Sequence, residues 1–313
     1  MNAIERFVGN IKRVGISGYF AERLRMFLGL NQYSDNINTI FYFLNKCIRP
    51  CDLPPTDDQD LRIMQKCDAV LLQIFDKLCK RYGFKYWLDY GTLLGAVRHK
   101  GFIPWDDDMD VCMLRNDYVK LAETIRGDLL EYDLDIEESV GTICTIGISY
   151  KHQDTGVWLD VFPYDLYESS KNEFEARTDL KRKLQKNRRK LNRTLKRDQD
   201  TLSKIRSEVV SNESPAVTTL CNVGVETNFT FDIHNIEALF PLTEIEFEGT
   251  LFSCPNMPSA YLEDIFGAHY MELPHSGVLH HDGGRGPLST WARRTGTDMK
   301  EVYSYLKNVL ECI

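Results

Sequence analysis

The chain has 313 residues, 43% of them apolar and 27% charged, with a formal net charge of −8. That length holds one large domain or two modest ones with ample core, and the acidic balance argues against a general nucleic-acid binder. Stretches of about 18 consecutive apolar residues are lacking, which argues against a transmembrane helix.

Glu5, Arg6, Lys12 and Arg13 interrupt any apolar core that a signal peptide would need. Nine cysteines without a short regular spacing fit reduced thiols, so a cytoplasmic protein is expected, peripheral on the inner face of the membrane at most. Residues 1–55 read as a helical leader. Phe7, Ile11, Val14, Phe20, Leu24, Phe27 and Leu28 recur at roughly helical spacing among Arg6, Lys12, Arg13, Arg23 and Arg25. Such a stretch either packs on the rest of the protein or a partner subunit, or lies through residues 1–30 on an anionic membrane. Pro50, Pro54 and Pro55 among aspartates mark a boundary, after which residues 56–313 read as the catalytic domain.

Leu61 to Cys79 carries an amphipathic helical pattern, and Gly83 suits its C-cap. Phe84–Leu88 is a short apolar run suited to a buried strand, and a short helix opens directly after Gly91. Met109, Val111 and Met113 alternate with Asp108, Asp110 and Cys112, which predicts a strand presenting both aspartates on one face. Asn116 or Asp117 would cap a helix running to about Leu130. Two strands are expected over Thr142–Tyr150 and Gly156–Phe162, the second placing Asp160 on the face of Trp158 and Phe162. An acid in so apolar a strand is costly unless paired or metal-bound.

Composition then changes sharply. Residues 171–206 hold fourteen Lys or Arg against five acids, a local charge of +9 in a chain of −8. The helical insertion they define, about 170–212, is either a basic arm facing an anionic acceptor or membrane, or a solvated surface feature. It lacks the interleaved aromatics of a specific nucleic-acid binder. A strand near Glu246–Phe252, a helix near Ser259–Phe266 and a Gly-, Pro- and His-rich loop follow.

The chemistry lies where four carboxylates fall in five positions, Asp106, Asp107, Asp108 and Asp110, running straight into an apolar strand. Such a cluster repels itself unless a divalent cation sits within it, and a cation so placed is aimed at a phosphate. Asp108 and Asp110, with Asp160 from a neighbouring strand, would form a compact oxygen cage of the kind Mg²⁺ prefers, with Mn²⁺ as a substitute. Asp106 either orients the loop or reaches a second ion, whereas Asp107, pointing the other way, only caps or pairs. Gly91 and Thr92 at a helix entry suit phosphate binding through backbone amides. Arg98 and Lys100 lie between the two elements as a diphosphate clamp, and Asp89 either caps the helix or contacts the ligand. Trp87 and Trp105 read as core. His275, His280 and His281 are candidates to reach the acceptor or act as base.

The stretch Tyr86–Met113 strongly resembles the signature of the LicD family, which includes bacterial phosphocholine transferases, fukutin and fukutin-related protein. Trp158–Pro163, Phe247-Glu248-Gly249, Tyr261-Leu262, Phe266-Gly267, Tyr270-Met271 and Leu273-Pro274 extend the similarity. The resemblance implies an α+β, nucleotidyltransferase-like mixed sheet flanked by helices. It further implies transfer of a phospho-alcohol (phosphocholine or a polyol phosphate) from a CDP-linked donor to a glycan or glycolipid hydroxyl, releasing CMP. In that pattern Asp106, Asp108 and Asp110 bind metal and Asp160 is the acid from the adjoining strand; Asp108, Asp110 and Asp160 are the catalytic set. Bacterial members often carry a second glycine where Tyr90 stands. Two alternatives accompany this expectation: a nucleotidyltransferase that releases pyrophosphate from an NTP, and a non-catalytic glycan-binding scaffold.

Overall fold

The computed structural model describes residues 47–140, 144–150, 156–191, 199–209, 218–224, 232–273 and 296–313. Most of the leader, and His275, His280 and His281, lie outside these residues. Helix α1, Gln59–Tyr82, starts where the Asp58 side chain accepts from the amides of Asp60 and Leu61, and stops at Gly83 with φ 74°. Its apolar stripe, including Leu71, Leu72, Ile74 and Leu78, is wholly buried. The C-terminal helix α8, Met299–Cys312, packs along α1 and buries Val302, Leu306 and Val309.

The sheet that α1 packs against is mixed, consistent with an α+β fold. Strands β1 (Tyr86–Leu88), β2 (Asp110–Leu114), β3 (Leu134–Val140), β4 (Cys144–Tyr150) and β5 (Trp158–Ser169) lie in the order β1-β2-β5-β4-β3. Among the described residues, only β2 and β5 are parallel; the other pairs are antiparallel. A parallel pair needs a long crossover, here made by helix α3 (Arg115–Leu130) and the β3–β4 hairpin. The twelve-residue β5 is the spine. Its first part pairs with β2 and β4, and its second with β6 (Thr218–Val223), which in turn pairs with β7 (Ile233–Asn235). Helix α2, Tyr90–His99, connects β1 to the loop that enters β2.

Several expectations shift. The run read as one strand near Glu246–Phe252 is a hairpin of β8 (Thr243–Phe247) and β9 (Thr250–Cys254). Glu248 and Gly249 turn it with φ 48° and 77°, the left-handed pair of a tight two-residue turn. Helix α3 begins at Arg115, and the residue before it supplies no side-chain cap. Asp117 instead accepts from the Lys85 amide at 3.0 Å, because docking β1 to α3 outweighs capping.

The basic insertion is built onto the sheet. Helix α4 (Glu173–Leu191) and helix α5 (Gln199–Ser207) share a second hydrophobic cluster of Ala176, Leu180, Leu184, Leu202 and Ile205 with Tyr167, Leu220 and Ile233 of the strands. Each such leucine contributes roughly 2 kcal/mol on burial, ample to hold a highly charged helix in place. Helix α6 (Ile236–Leu239) and helix α7 (Pro258–Phe266) complete the far side. Among the described residues, no helix is long and apolar enough to cross a membrane.

Candidate active site

The site grows from the entry of α2. Asp89 is fully buried and caps this helix: one oxygen accepts from the Tyr90 amide at 2.7 Å, the other from the Tyr261 hydroxyl at 2.8 Å. Tyr261 is held in turn by the Trp87 indole N–H at 3.1 Å. Of the two roles expected for Asp89, the structure displays the cap. Thr92 is also committed inward, its buried hydroxyl accepting from the Asp110 amide at 2.8 Å. At Gly91 a Cβ would stand 2.8 Å from the Asp106 carboxylate, so glycine lets this acid approach the helix start. The amides there carry partial positive charge and favour an anion. Tyr90 sits at φ 42°. A left-handed conformation costs a side chain about 1 kcal/mol, and the Tyr90 hydroxyl bond to Asp232 at 2.9 Å helps to hold it.

The acids arrive on the loop between α2 and β2. Gln65 of α1 donates to the Asp106 carbonyl at 2.9 Å, and Glu248 accepts from the Phe102 amide while holding Arg62 at 2.7 Å. Asp106, Asp107 and Asp108 place one carboxylate oxygen each within 4.8 Å of the others, all half-buried. Asp107 therefore joins the group from which strand alternation excluded it. The reason is that β2 starts only at Asp110, and residues 106–108 are loop. Asp110 and Asp160 are direct register partners on the parallel strands, and the Asp160 amide donates to the Met109 carbonyl at 2.9 Å. Neighbouring strands lie about 4.8 Å apart, so these two side chains leave the sheet side by side. The Trp158 indole donates to Asp160 at 2.7 Å.

Electrostatics ties the five acids into one unit. Burial, then the charges of Asp108 and Asp107, hold the Asp106 carboxyl well above the ordinary carboxylate range, with Arg98 pulling the other way. Burial, then Asp108, Asp160, Asp106 and Asp89, do the same to Asp110. Two full charges about 5 Å apart repel by roughly 3 kcal/mol at an effective dielectric near 20. Hard carboxylate oxygens at this spacing, with Asp106 and Asp110 raised by burial and by their neighbours, fit a small divalent cation such as Mg²⁺.

The cationic candidates fare differently. Arg98 is buried, donates to the carbonyls of Tyr270 and Glu272 at 3.3 and 3.5 Å, and lies over the Trp105 ring. Burial lowers its pKa to about 10 against the opposing pull of Asp106. It is a counter-charge behind the cluster that also ties down the segment after α7. Lys100 caps the opposite end of α2, some 15 Å along a ten-residue helix, with its exposed amine 3.3 Å from Glu246. The structure does not bring Lys100 to the acids. Trp87 and Trp105 are core residues, as read.

Comparison with known proteins finds similarity over the segment that holds these acids. Residues 83–193 match the LicD/FKTN/FKRP nucleotidyltransferase domain. The lipopolysaccharide cholinephosphotransferase LicD of Haemophilus influenzae is 37% identical over 117 residues, 34% of this chain and 44% of that protein. Human ribitol 5-phosphate transferase FKRP is 49% identical over 45 residues, 14% of this chain and 9% of that protein. An uncharacterized protein of Rickettsia prowazekii is 31% identical over 102 residues. The chain thus aligns with less than half the length of each of these relatives. The matched segment contains α2, the acid loop, β2 and β5, so it is the part of the chain holding the acids that is similar to the LicD/FKTN/FKRP nucleotidyltransferase domain.

Proposed function

We propose that the protein moves a phospho-alcohol from a CDP-linked donor to a hydroxyl of a cell-surface glycan, with release of CMP. The observation that carries this reading is the register pairing of Asp110 with Asp160 beside the Asp106–Asp108 group, at the entry of α2. Two of the relatives are named for transferring cholinephosphate in lipopolysaccharide and ribitol 5-phosphate, and a phospho-alcohol is what those groups share. Asp106, Asp108, Asp110 and Asp160 would hold Mg²⁺, with Mn²⁺ as a substitute. Bound there, the ion would neutralise charge on the donor's phosphates and align attacking and leaving oxygens. Arg98 limits the cluster's net charge from behind, and the α2 amides add a positive edge for the transferred phosphoryl group. The outward basic face of α4, including Lys181, Lys186 and Arg189, is the surface we assign to an anionic membrane or acceptor.

The test is to incubate the protein with CDP-choline, CDP-ribitol or CDP-glycerol, Mg²⁺ and a glycan acceptor, and to measure CMP. Should no CDP-alcohol turn over while an NTP yields pyrophosphate, nucleotidyl transfer replaces this reading. Should cellular function survive Asp108→Asn with Asp110→Asn, the non-catalytic scaffold does.

A further inference from the structure

We infer that Trp158 is a positioning residue for the Asp160 carboxylate, with Gly147 as the gap that admits its ring; this rests on the metal-dependent reading above. Trp158 is 9% exposed, and its indole N–H donates to Asp160 Oδ1 at 2.7 Å. The two residues share a strand face and stand about 6.6 Å apart along it. A bond between them therefore requires the indole to fold back along the sheet rather than stand away from it.

Gly147 makes that conformation feasible. It is the register partner of Asp160 on β4, so Asp110, Asp160 and Gly147 form a row across three strands. A Cβ at Gly147 would lie 1.8 Å from Trp158 Cζ2 and 2.3 Å from Cη2, an overlap no side chain tolerates. The ring occupies the space of the missing side chain, a diagonal glycine–aromatic pairing across antiparallel strands. Asp68 of α1 fixes the same residue from the backbone side, accepting from the Trp158 amide at 3.1 Å.

Filling space would need only an aromatic ring. The N–H matters because Asp160 faces Asp110 within a cluster of like charges, where repulsion turns an unrestrained carboxylate away from its neighbours. A donor on one oxygen fixes the plane of the carboxylate, and donors of this kind behind metal-binding groups typically change metal affinity 10–100-fold. Trp158→Phe keeps an aromatic ring on this face, though not the outer ring in the Gly147 gap, and removes the donor; Gly147→Ala keeps the donor and displaces the ring.

The measurement is Mn²⁺ affinity of the full chain, read from the electron paramagnetic resonance signal of free Mn²⁺, with circular dichroism to confirm folding. Trp158→Phe is expected to weaken binding about tenfold, and Gly147→Ala to weaken it similarly by its separate route. In an Asp160→Asn background, Trp158→Phe should have no further effect, which a packing role alone would not produce. Folded Trp158→Phe protein binding Mn²⁺ within twofold of the wild type overturns the inference. If Trp158→Phe does not fold, Gly147→Ala takes its place in both backgrounds under the same criterion. A wild type that binds no Mn²⁺ overturns the metal reading together with the inference, whereas wild-type binding with an unchanged variant overturns the inference alone.

Discussion

The acid edge around Asp110 and the basic shoulder of α4 and α5 carry opposite charge, and the fold treats them in opposite ways. On the shoulder, Ala176, Leu180 and Leu184 bury one face of α4 while Lys181, Lys186 and Arg189 are left at or near the surface. Inward-facing Asp179 is surrounded by Tyr167, Lys171, Arg182 and Lys183. At the acid edge, five carboxylates are gathered where burial and then mutual repulsion raise Asp106 and Asp110, and the nearby Arg98 guanidinium is committed to backbone carbonyls. A surface can carry high charge at little cost when each charge is solvated or paired. A half-buried cluster of one sign destabilises the metal-free fold, as expected of groups kept for function rather than for stability. The contrast separates activity from stability, and each prediction below tests one side of it.

The largest effect belongs to the acids. Asp108→Asn or Asp110→Asn should lower CMP release about a thousandfold, equivalent to about 4 kcal/mol in barrier. The same variants, free of metal, should melt no lower than the wild type, because each removes a repelling charge. Steady-state assays with thermal melts in EDTA check both halves, and a variant that loses stability while keeping its rate reverses the comparison.

On the shoulder the order of effects inverts. Leu180→Ala should cost about 3 kcal/mol in urea unfolding, the usual range for a buried leucine truncated to alanine. It should leave the rate per folded molecule unchanged, since Leu180 packs against the part of the sheet built by β6 and β7. Mg²⁺ provides the next effect. At a hundred times its dissociation constant it should stabilise the wild type by about 2.7 kcal/mol, a gain that EDTA abolishes and that Asp108→Asn lacks. Leu180→Ala should retain it in full.

The sequence makes the acid edge more legible than the shoulder, for physical reasons. Asp108, Asp110 and Asp160 stand out because charge amid apolar strand residues has few inexpensive explanations, and the Leu61–Cys79 periodicity shows α1 almost whole. Asp107 escapes because alternation applies only within a strand, and β2 begins two residues after Asp108. The β8–β9 turn escapes because apolar residues continue through it; Gly249 after Glu248 is its one local signal. Strands β3, β6 and β7 and helix α8 are set by long-range pairing and packing, so the short polar runs of β3 and β6 have weak patterns of their own. Arg98 and Lys100 look equivalent in sequence, and only the length and direction of α2 send them to different neighbourhoods. The bond from Trp158 to Asp160 escapes because nothing local reveals where an indole N–H will point.

The smallest effect sharpens the comparison most, because pH acts on the two regions with opposite sign. Asp106 and Asp110 titrate above the ordinary aspartate value of 3.8, so the folded state disfavours their ionised form. Their contribution to stability is full below that value and is lost as pH rises through their raised pKa. Asp179 is the reverse. Burial alone would raise it, but hydrogen bonds from Arg182 and Tyr167 and the charges of Lys171 and Lys183 together hold it below 3.8. Its contribution is present above 3.8 and is lost as pH falls through its own lower pKa. In metal-free protein, acidification from neutral pH should therefore relieve the acid edge first, and weaken the shoulder only below about pH 4. The melting advantage of Asp108→Asn over the wild type should accordingly shrink as pH is lowered from 7 toward 4, while Asp179→Asn, destabilised at pH 7, should converge on the wild type only below pH 4. An Asp108→Asn advantage that stays constant across this range would mean that the carboxylates do not repel one another in solution, and the charge argument for a cation at this edge would lose its basis.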